Sequence, residues 1–372
     1  MRVPLVDLTA QYAAYKVEID AAIANVIRDT AFIRGKYVTE FEEAYGRSYG
    51  VKHCVGVANG TDAIFIVLKM LGIGTGDEVI TTANSWIGSS ETITQTGARP
   101  VFVDVEEDFY DIDPAKIEEK ITDRTKAILP VHLLGQPAQM DAIMAICEKH
   151  GLLLVEDCAQ SHFAEFKGRK VGTFGRAGTF SFYPGKNLGA YGDAGAIVTN
   201  DSDLALQVRM FANHGADRAN KHEHVMEGIN SRLDGLQAAI LTAKLPHVGA
   251  WARARQEKAA RYNELLSAVT EVITPRIRPD ATHVFHVFNI RAARRDALQE
   301  HLKQNGIETT RHYPTPLPFL KAYQHLGHVP ADFPVAAGHA REILSLPIYP
   351  EMSEEQLRYV TDRIKAFYLH GA

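Results

Sequence analysis

One lysine at the end of an apolar run is the residue best placed in this chain to act as a nucleophile. The run Thr179-Phe-Ser-Phe-Tyr-Pro-Gly-Lys186-Asn187 reads as a strand that stops in a Pro-Gly turn. An amine held there, beside a glycine that lets a ligand approach the backbone, can attack a carbonyl once it is uncharged. Taken alone, a lysine in a turn is a solvated surface charge, but three neighbouring patterns argue otherwise. Asn59-Gly60-Thr61-Asp62 follows the apolar run Cys54 to Ala58 and opens a helical pattern from Ala63. Such a strand-Gly-Thr-helix junction turns free amides and the positive end of a helix dipole outward next to a hydroxyl, which suits an anion such as phosphate; on its own it is equally a helix cap. Asp157 comes directly after the buried run Leu152 to Glu156, where a carboxylate is costly unless a cation meets it. Asn84-Ser85-Trp86 is the third pattern, a polar turn carrying one large flat side chain.

These residues need a scaffold that brings several strand ends together, and the rest of the chain supplies it. Strand candidates at 78–81, 100–104, 126–131, 152–156 and 178–182 alternate with helical stretches. Continuous apolar strands interleaved with amphipathic helices give a mostly parallel sheet covered on both faces, whose ligands sit at the carboxyl ends of the strands. Gly195-Ala-Ile-Val198 follows the lysine turn with no room for a crossover helix and is expected to run antiparallel. Tyr15, Ile19, Ala22, Ile23, Val26 and Ile27 form one apolar face of a first helix, and Asp113-Pro114 is expected to start a helix through Ile117 and Ile121. Beyond Leu245-Pro246 the texture changes to a charged helix from Trp251 to Ser267, an alternating segment 284–290, a helix from Arg294 to Gln304, and a last helix opened by the capping box Ser353-Glu-Glu-Gln356. The expected division is a large domain over 1–248 and a smaller α+β domain over 249–372.

Composition excludes several function classes. The 372 residues carry 45 acids and 40 bases, a net charge of -5, with 46% hydrophobic residues. No basic stripe of the kind that neutralises a phosphate backbone is present, Arg218 to His224 being locally basic but short, so nucleic acid is not an expected partner. No apolar run approaches a membrane span and the amino terminus lacks a signal peptide's apolar centre, so a soluble cytoplasmic protein is expected. Cys54, Cys147 and Cys158 form no CxxC pair, which argues for buried thiols and against a disulfide framework or a metal site. Residues 54–65 hold no G-x-G-x-x-G, so a Rossmann dehydrogenase is not supported.

Together, the four strand-end features ask for a ligand with a phosphate, a flat ring, a basic ring nitrogen and a group that condenses with an amine. Pyridoxal 5′-phosphate has all four. The chain also resembles the sugar aminotransferases of the DegT/DnrJ/EryC1/StrS family, a branch of the aspartate-aminotransferase fold type (fold type I). The resemblance spans nearly all of it, through Asn59-Gly-Thr-Asp-Ala63, Gly76-Asp-Glu-Val79, Glu156-Asp-Cys-Ala-Gln160, Phe180-Ser-Phe-Tyr-Pro-Gly-Lys-Asn187, Gly192-Asp-Ala-Gly195, Asn213-His-Gly215 and Asn230-Ser-Arg-Leu233. The resemblance implies a seven-stranded, mostly parallel sheet with one antiparallel strand, and a pyridoxal-phosphate-dependent transfer of an amino group from L-glutamate to the C3 or C4 ketone of a nucleotide-linked keto sugar. It assigns Lys186 as the residue that holds the cofactor and shuttles the proton. Asp157 would meet the pyridine nitrogen, Gln160 the region of the ring hydroxyl, and Ala159 and Trp86 the two ring faces. Gly60, Thr61 and Ser181 would hold the phosphate. Asn230 would reach the phosphate of a neighbouring subunit, which implies an obligate homodimer with shared sites. Tyr183, His214, His312 and Tyr313 would face the sugar. Family members that dehydrate a sugar replace the lysine by histidine, so Lys186 argues against that activity; a non-catalytic regulatory protein on the same fold is the other alternative.

Overall fold

The computed structural model describes residues 1–217, 220 and 222–369; Arg218, Ala219 and Lys221 of the basic stretch lie outside the described residues. The chain begins with helices α1 (Leu8–Arg28) and α2 (Lys36–Tyr49). It then alternates through β1 (His53–Val57), α3 (Gly60–Met70), β2 (Glu78–Thr82), α4 (Gly88–Thr96), β3 (Arg99–Val103), β4 (Thr125–Leu129), α5 (Met140–His150) and β5 (Leu153–Asp157). A two-residue hairpin, β6 (Glu165–Phe166) and β7 (Arg169–Lys170), precedes β8 (Ala177–Ser181) and β9 (Gly195–Thr199).

Seven strands form one sheet in the order β1-β9-β8-β5-β4-β2-β3. All neighbours are parallel except those of β9, which is antiparallel to both β1 and β8. The link from β8 to β9 is taken up by the lysine turn and holds no helix to cross the sheet, and the chain returns antiparallel. The carboxyl ends of β1, β2, β5 and β8 therefore open on the same edge. On one face, Phe180 and Phe182 pack edge-on against Tyr45 and Phe41 of α2, with ring centroids 5.5 Å and 5.3 Å apart. Strand alternation turns Ser181, between them, the other way.

After α6 (Ser202–Phe211) and α7 (Gly235–Lys244), helix α8 (Val248–Leu266) leads into a three-stranded antiparallel sheet, β10 (Val272–Ile273), β11 (Phe288–Ala292) and β12 (Ile343–Leu346), packed with α9 (Arg295–Gln304), α10 (Pro334–Glu342) and α11 (Glu354–Leu369). Its core includes Tyr262 stacked on Phe288, and Val3 belongs to the same cluster, pairing with Ile307. The capping box forms as expected: Gln356 N–H donates to Ser353 Oγ at 3.1 Å, and Ser353 N–H to Gln356 Oε1 at 2.9 Å. All three cysteines are buried and free.

Two expectations are corrected. Asp113-Pro114 opens two single 3₁₀ turns, 114–116 and 118–120, and Ile121 is extended; two apolar positions do not give an α-helical face enough to bury. On α1 the apolar face is narrower than its spacing suggests, since Ile19 and Val26 are buried while Ile27 is 55% exposed. Among the described residues no helix is long and apolar enough to cross a membrane.

Candidate active site

The strand ends open on a cavity of about 680 Å³, lined by thirteen sequence-predicted positions: Asn59, Gly60, Thr61, Ser85, Trp86, Asp157, Ala159, Gln160, Ser181, Tyr183, Lys186 and the neighbouring pair His312 and Tyr313 from the carboxyl-terminal part. At one end is the first turn of α3. Asn59 caps it by accepting the Asp62 N–H at 2.7 Å, so the free amides of that turn face the cavity beside the Thr61 and Ser181 hydroxyls. A Cβ on Gly60 would stand 2.7 Å from Ser181 Cβ, so glycine is what allows helix and strand to approach this closely.

At the other end is Asp157, 4% exposed. Its Oδ2 accepts the Ser89 hydroxyl at 2.7 Å and its Oδ1 the Ala159 N–H at 3.0 Å. Both bonds fix the carboxylate at the end of its strand. The preceding residue is a brace for this strand end. Buried Glu156 accepts the N–H groups of Gly172, Phe174 and Gly175 at 2.7, 2.7 and 2.8 Å, and its Oε2 lies 3.1 Å from His132 Nε2. His132 Nδ1 in turn accepts the Ala138 N–H. Glu156, His132 and Cys158 have ligand atoms within 4.8 Å of one another, but the hydrogen bonds engage the carboxylate and imidazole lone pairs, which makes this cluster a structural tie.

Lys186 lies between these ends. Its turn is held from three directions: its own N–H donates to Tyr183 O at 2.8 Å, Asn187 Nδ2 to Val284 O at 3.0 Å, and the buried Lys244 Nζ to Gly189 O at 2.5 Å. Burial pushes the Lys186 pKa down from 10.5 to about 8, with the Asp157 carboxylate pulling the other way. About a tenth of the amine is therefore uncharged at pH 7, far more than at an ordinary lysine, and that is the state that attacks a carbonyl. Gln160 is more committed than its sequence position suggests: Oε1 accepts the Leu134 N–H at 2.7 Å and Nε2 donates to the Tyr313 hydroxyl at 2.9 Å, leaving one N–H for a ligand. His312 has Nδ1 2.8 Å from Ser345 Oγ, and burial, then the Lys186 cation, lower its pKa to about 4. Tyr313 and Trp86 face each other with ring centroids 5.9 Å apart, and Trp86 is 61% exposed.

His214 and Asn230 do not line this cavity. They lie on the segment following α6, where Asn213 and Asn230 form a bridge and His214 is exposed. Sequence reasoning missed Ser89, the partner of Asp157, and His286, which lines an adjoining cavity together with Lys186. Ser89 lies in the loop that carries Trp86, but nothing local points it at Asp157, 68 positions along the chain.

The donor set fits pyridoxal 5′-phosphate. A helix start with two hydroxyls and no room for a Cβ suits the phosphate, a buried carboxylate suits a protonated ring nitrogen, and an amine of lowered pKa suits the aldehyde. The model of the DegT/DnrJ/EryC1/StrS aminotransferase family matches residues 14–365. The chain is 46% identical, over 100% of both sequences, to a Geobacillus stearothermophilus protein named pleiotropic regulatory protein. It is 42% identical, over 98% of its own length and 96% of the relative's, to the dTDP-3-amino-3,4,6-trideoxy-alpha-D-glucose transaminase of Streptomyces venezuelae. The crystal structure of S. venezuelae DesV in complex with a ketimine intermediate has the same fold, with a TM-score of 0.96 at 42% identity and 98% of each chain covered.

Proposed function

Because this chain belongs to the DegT/DnrJ/EryC1/StrS aminotransferase family, we propose that it transfers an amino group from L-glutamate to the C3 or C4 ketone of a nucleotide-linked keto sugar, with pyridoxal 5′-phosphate bound in the cavity around Lys186. The observation that carries this reading is the placement of Lys186, its pKa lowered to about 8, in one cavity with the Gly60 helix start and the Asp157 carboxylate. Relatives point to the substrate class, since the S. venezuelae transaminase is named for a nucleotide sugar with its amine at C3.

When bound, the cofactor supplies an electron sink for the negative charge that develops on the substrate carbon. The chain supplies the rest. Asp157, held in place by Ser89 and Ala159, would meet the ring nitrogen in its protonated form. Gly60, Thr61 and Ser181 would fix the phosphate, and Ala159 and Trp86 would flank the ring. Lys186 would take a proton from the donor's carbon at Nζ and hand it on to the cofactor in the same half of the cycle, and in the second half would carry a proton the opposite way to the sugar carbon, general acid-base work suited to a group that titrates near the working pH. Tyr183, His312 and Tyr313, at the mouth, would contact the sugar. His214 and Asn230, outside the cavity of their own chain, would complete the site of a second copy, with Asn230 on its phosphate, in an obligate homodimer. The regulatory name of the G. stearothermophilus relative does not remove catalysis here, since Lys186, Asp157 and Ser181 are all in place.

A panel of dTDP-, UDP- and GDP-linked 3-amino and 4-amino sugars tests the reading. Run in reverse, the correct compound converts the bound cofactor to its pyridoxamine form, read by the loss of its aldehyde absorbance, and 2-oxoglutarate restores it. Conversion by L-glutamate with no response to any amino-sugar nucleotide would overturn the substrate class.

A further inference from the structure

A second cavity, of about 250 Å³, adjoins the first and shares Lys186 with it. Val287, Leu346 and Ile348 give it an apolar wall, and His286, assigned no role above, contributes an imidazole to the lining. The tautomer of that ring follows from its neighbours. Asn187 Nδ2 donates to Val284 O at 3.0 Å, which orients the amide so that its Oδ1 faces His286 Nδ1, 3.3 Å away. An amide oxygen only accepts, so Nδ1 carries the hydrogen and Nε2 of the neutral ring keeps its lone pair. The backbone around the ring is fixed by Val284 N–H to Gly135 O at 2.8 Å and Val287 N–H to Leu134 O at 3.2 Å. Position 135 must be glycine for this approach, since a Cβ there would lie 2.8 Å from His286 N.

We propose that His286 is a positioning residue for Lys186: its bare Nε2 accepts a hydrogen bond, directly or through one water in the shared cavity, from the lysine ammonium whenever that amine is free. The proton stays on Lys186 Nζ, and no bond to carbon forms or breaks at His286. Asn187, the residue after the lysine, ties the ring to the lysine turn so that donor and acceptor keep their register. Burial and the cations Lys186 and Arg255, together with His312 and His162, keep the imidazole well below its ordinary pKa and so uncharged. Burial and Asp157, which favours the ammonium, act on Lys186 itself, while the Lys186 cation in turn lowers the pKa of His162, His286 and His312. An acceptor at Nε2 thus adds to Asp157 in offsetting the burial of the charged lysine.

This inference rests on the role proposed for Lys186, but its test uses cofactor-free protein, so failure of the lysine to hold a cofactor would appear as a separate result. The rate at which acetic anhydride labels Lys186 is followed against pH by peptide mass spectrometry in the unaltered protein, in His286→Asn and in His286→Gln. Asparagine can keep the donor to Asn187 but has nothing at the Nε2 position; glutamine places an oxygen there and gives up the Asn187 bond. Loss of the acceptor lowers the Lys186 pKa by about one unit, so His286→Asn labels about fivefold faster at pH 7, while His286→Gln labels as the unaltered protein does. Unchanged labelling in His286→Asn, or a change confined to His286→Gln, would overturn the proposal and leave His286 as a brace for Asn187. If either variant fails to fold, ¹⁵N-histidine NMR of the unaltered protein decides: a hydrogen on Nδ1 with Nε2 bare supports the proposal, and a hydrogen on Nε2 contradicts it.

Discussion

Replacing Gly60 by alanine tests whether the junction of β1 and α3 is the phosphate end of the site. The added Cβ would lie 2.7 Å from Ser181 Cβ, 3.1 Å from its Cα and 3.3 Å from its nitrogen, whereas non-bonded carbons settle about 3.5–4.0 Å apart. Ser181 cannot retreat, because its strand is paired with β9 at Gly195 and with β5 at Asp157. The first turn of α3 is therefore pushed outward by roughly 1 Å, and its amides leave the Ser181 hydroxyl. Losing one charge-assisted hydrogen bond costs about 1.5–3 kcal/mol, so cofactor binding weakens by roughly ten- to a hundredfold. Overpacking lowers the stability of the fold by about 1–3 kcal/mol as well. The assay is titration of cofactor-free protein with pyridoxal 5′-phosphate and, in parallel, with pyridoxal, which lacks the phosphate. The expected result is a raised Kd for the phosphorylated compound and an unchanged one for pyridoxal. Equal losses for both, or none for either, would refute the assignment.

Other substitutions probe the remaining parts. Asp157→Asn leaves a protonated ring nitrogen without its counter-charge, and breaking a buried ion pair costs about 3–5 kcal/mol; amino transfer is expected to fall by two orders of magnitude or more, roughly, on that figure, and a rate within threefold of normal, roughly, would contradict the pairing. The same change removes the carboxylate that raises the Lys186 pKa, so the pH of half-maximal Lys186 labelling should move below about 8. Because the native lysine sheds its proton near 8 and the unfolded one near 10.5, the cofactor-free native state becomes more stable as pH rises between those values. Lys186→Met should accordingly stabilise that protein at neutral pH, with a gain that shrinks as pH rises through this window; a gain independent of pH in thermal melts would contradict a depressed lysine. Mixing inactive Lys186→Ala subunits with inactive Asn230→Asp subunits should restore activity if sites are shared, and no recovery despite demonstrated subunit exchange would count against the dimer.

The site was legible in the sequence where its chemistry is local. Asp157 and Ser181 end strands, Gly60, Thr61 and Lys186 sit just past strand ends, and strand ends with their turns are set by short-range pattern, so the edge on which they meet followed from one parallel sheet. Contacts made across the chain were not legible. Ser89 reaches Asp157 only because β2 and β5 both open on that edge, and His286 reaches the lysine turn only through Asn187, 99 positions away. The fold was misread where a local signal had too little packing behind it: Asp113 caps the turn as its type suggests, accepting the Ala115 N–H, yet the chain makes single turns there. At Ile27 the apolar period runs one step past the surface that α1 buries. His214 and Asn230 belong to motifs that were recognisable, and the proposed second subunit would account for their place outside the cavity.

The claim on which everything rests is that Lys186 carries the cofactor, and one measurement addresses it. The purified protein, loaded with pyridoxal 5′-phosphate, is reduced with borohydride, digested and mapped by mass spectrometry. The expected result is a single modified peptide, with the phosphopyridoxyl group on Lys186 and none on Lys244, the other lysine whose pKa burial lowers to about 8. Modification elsewhere with Lys186 untouched, or no stable uptake of the cofactor, would contradict the account.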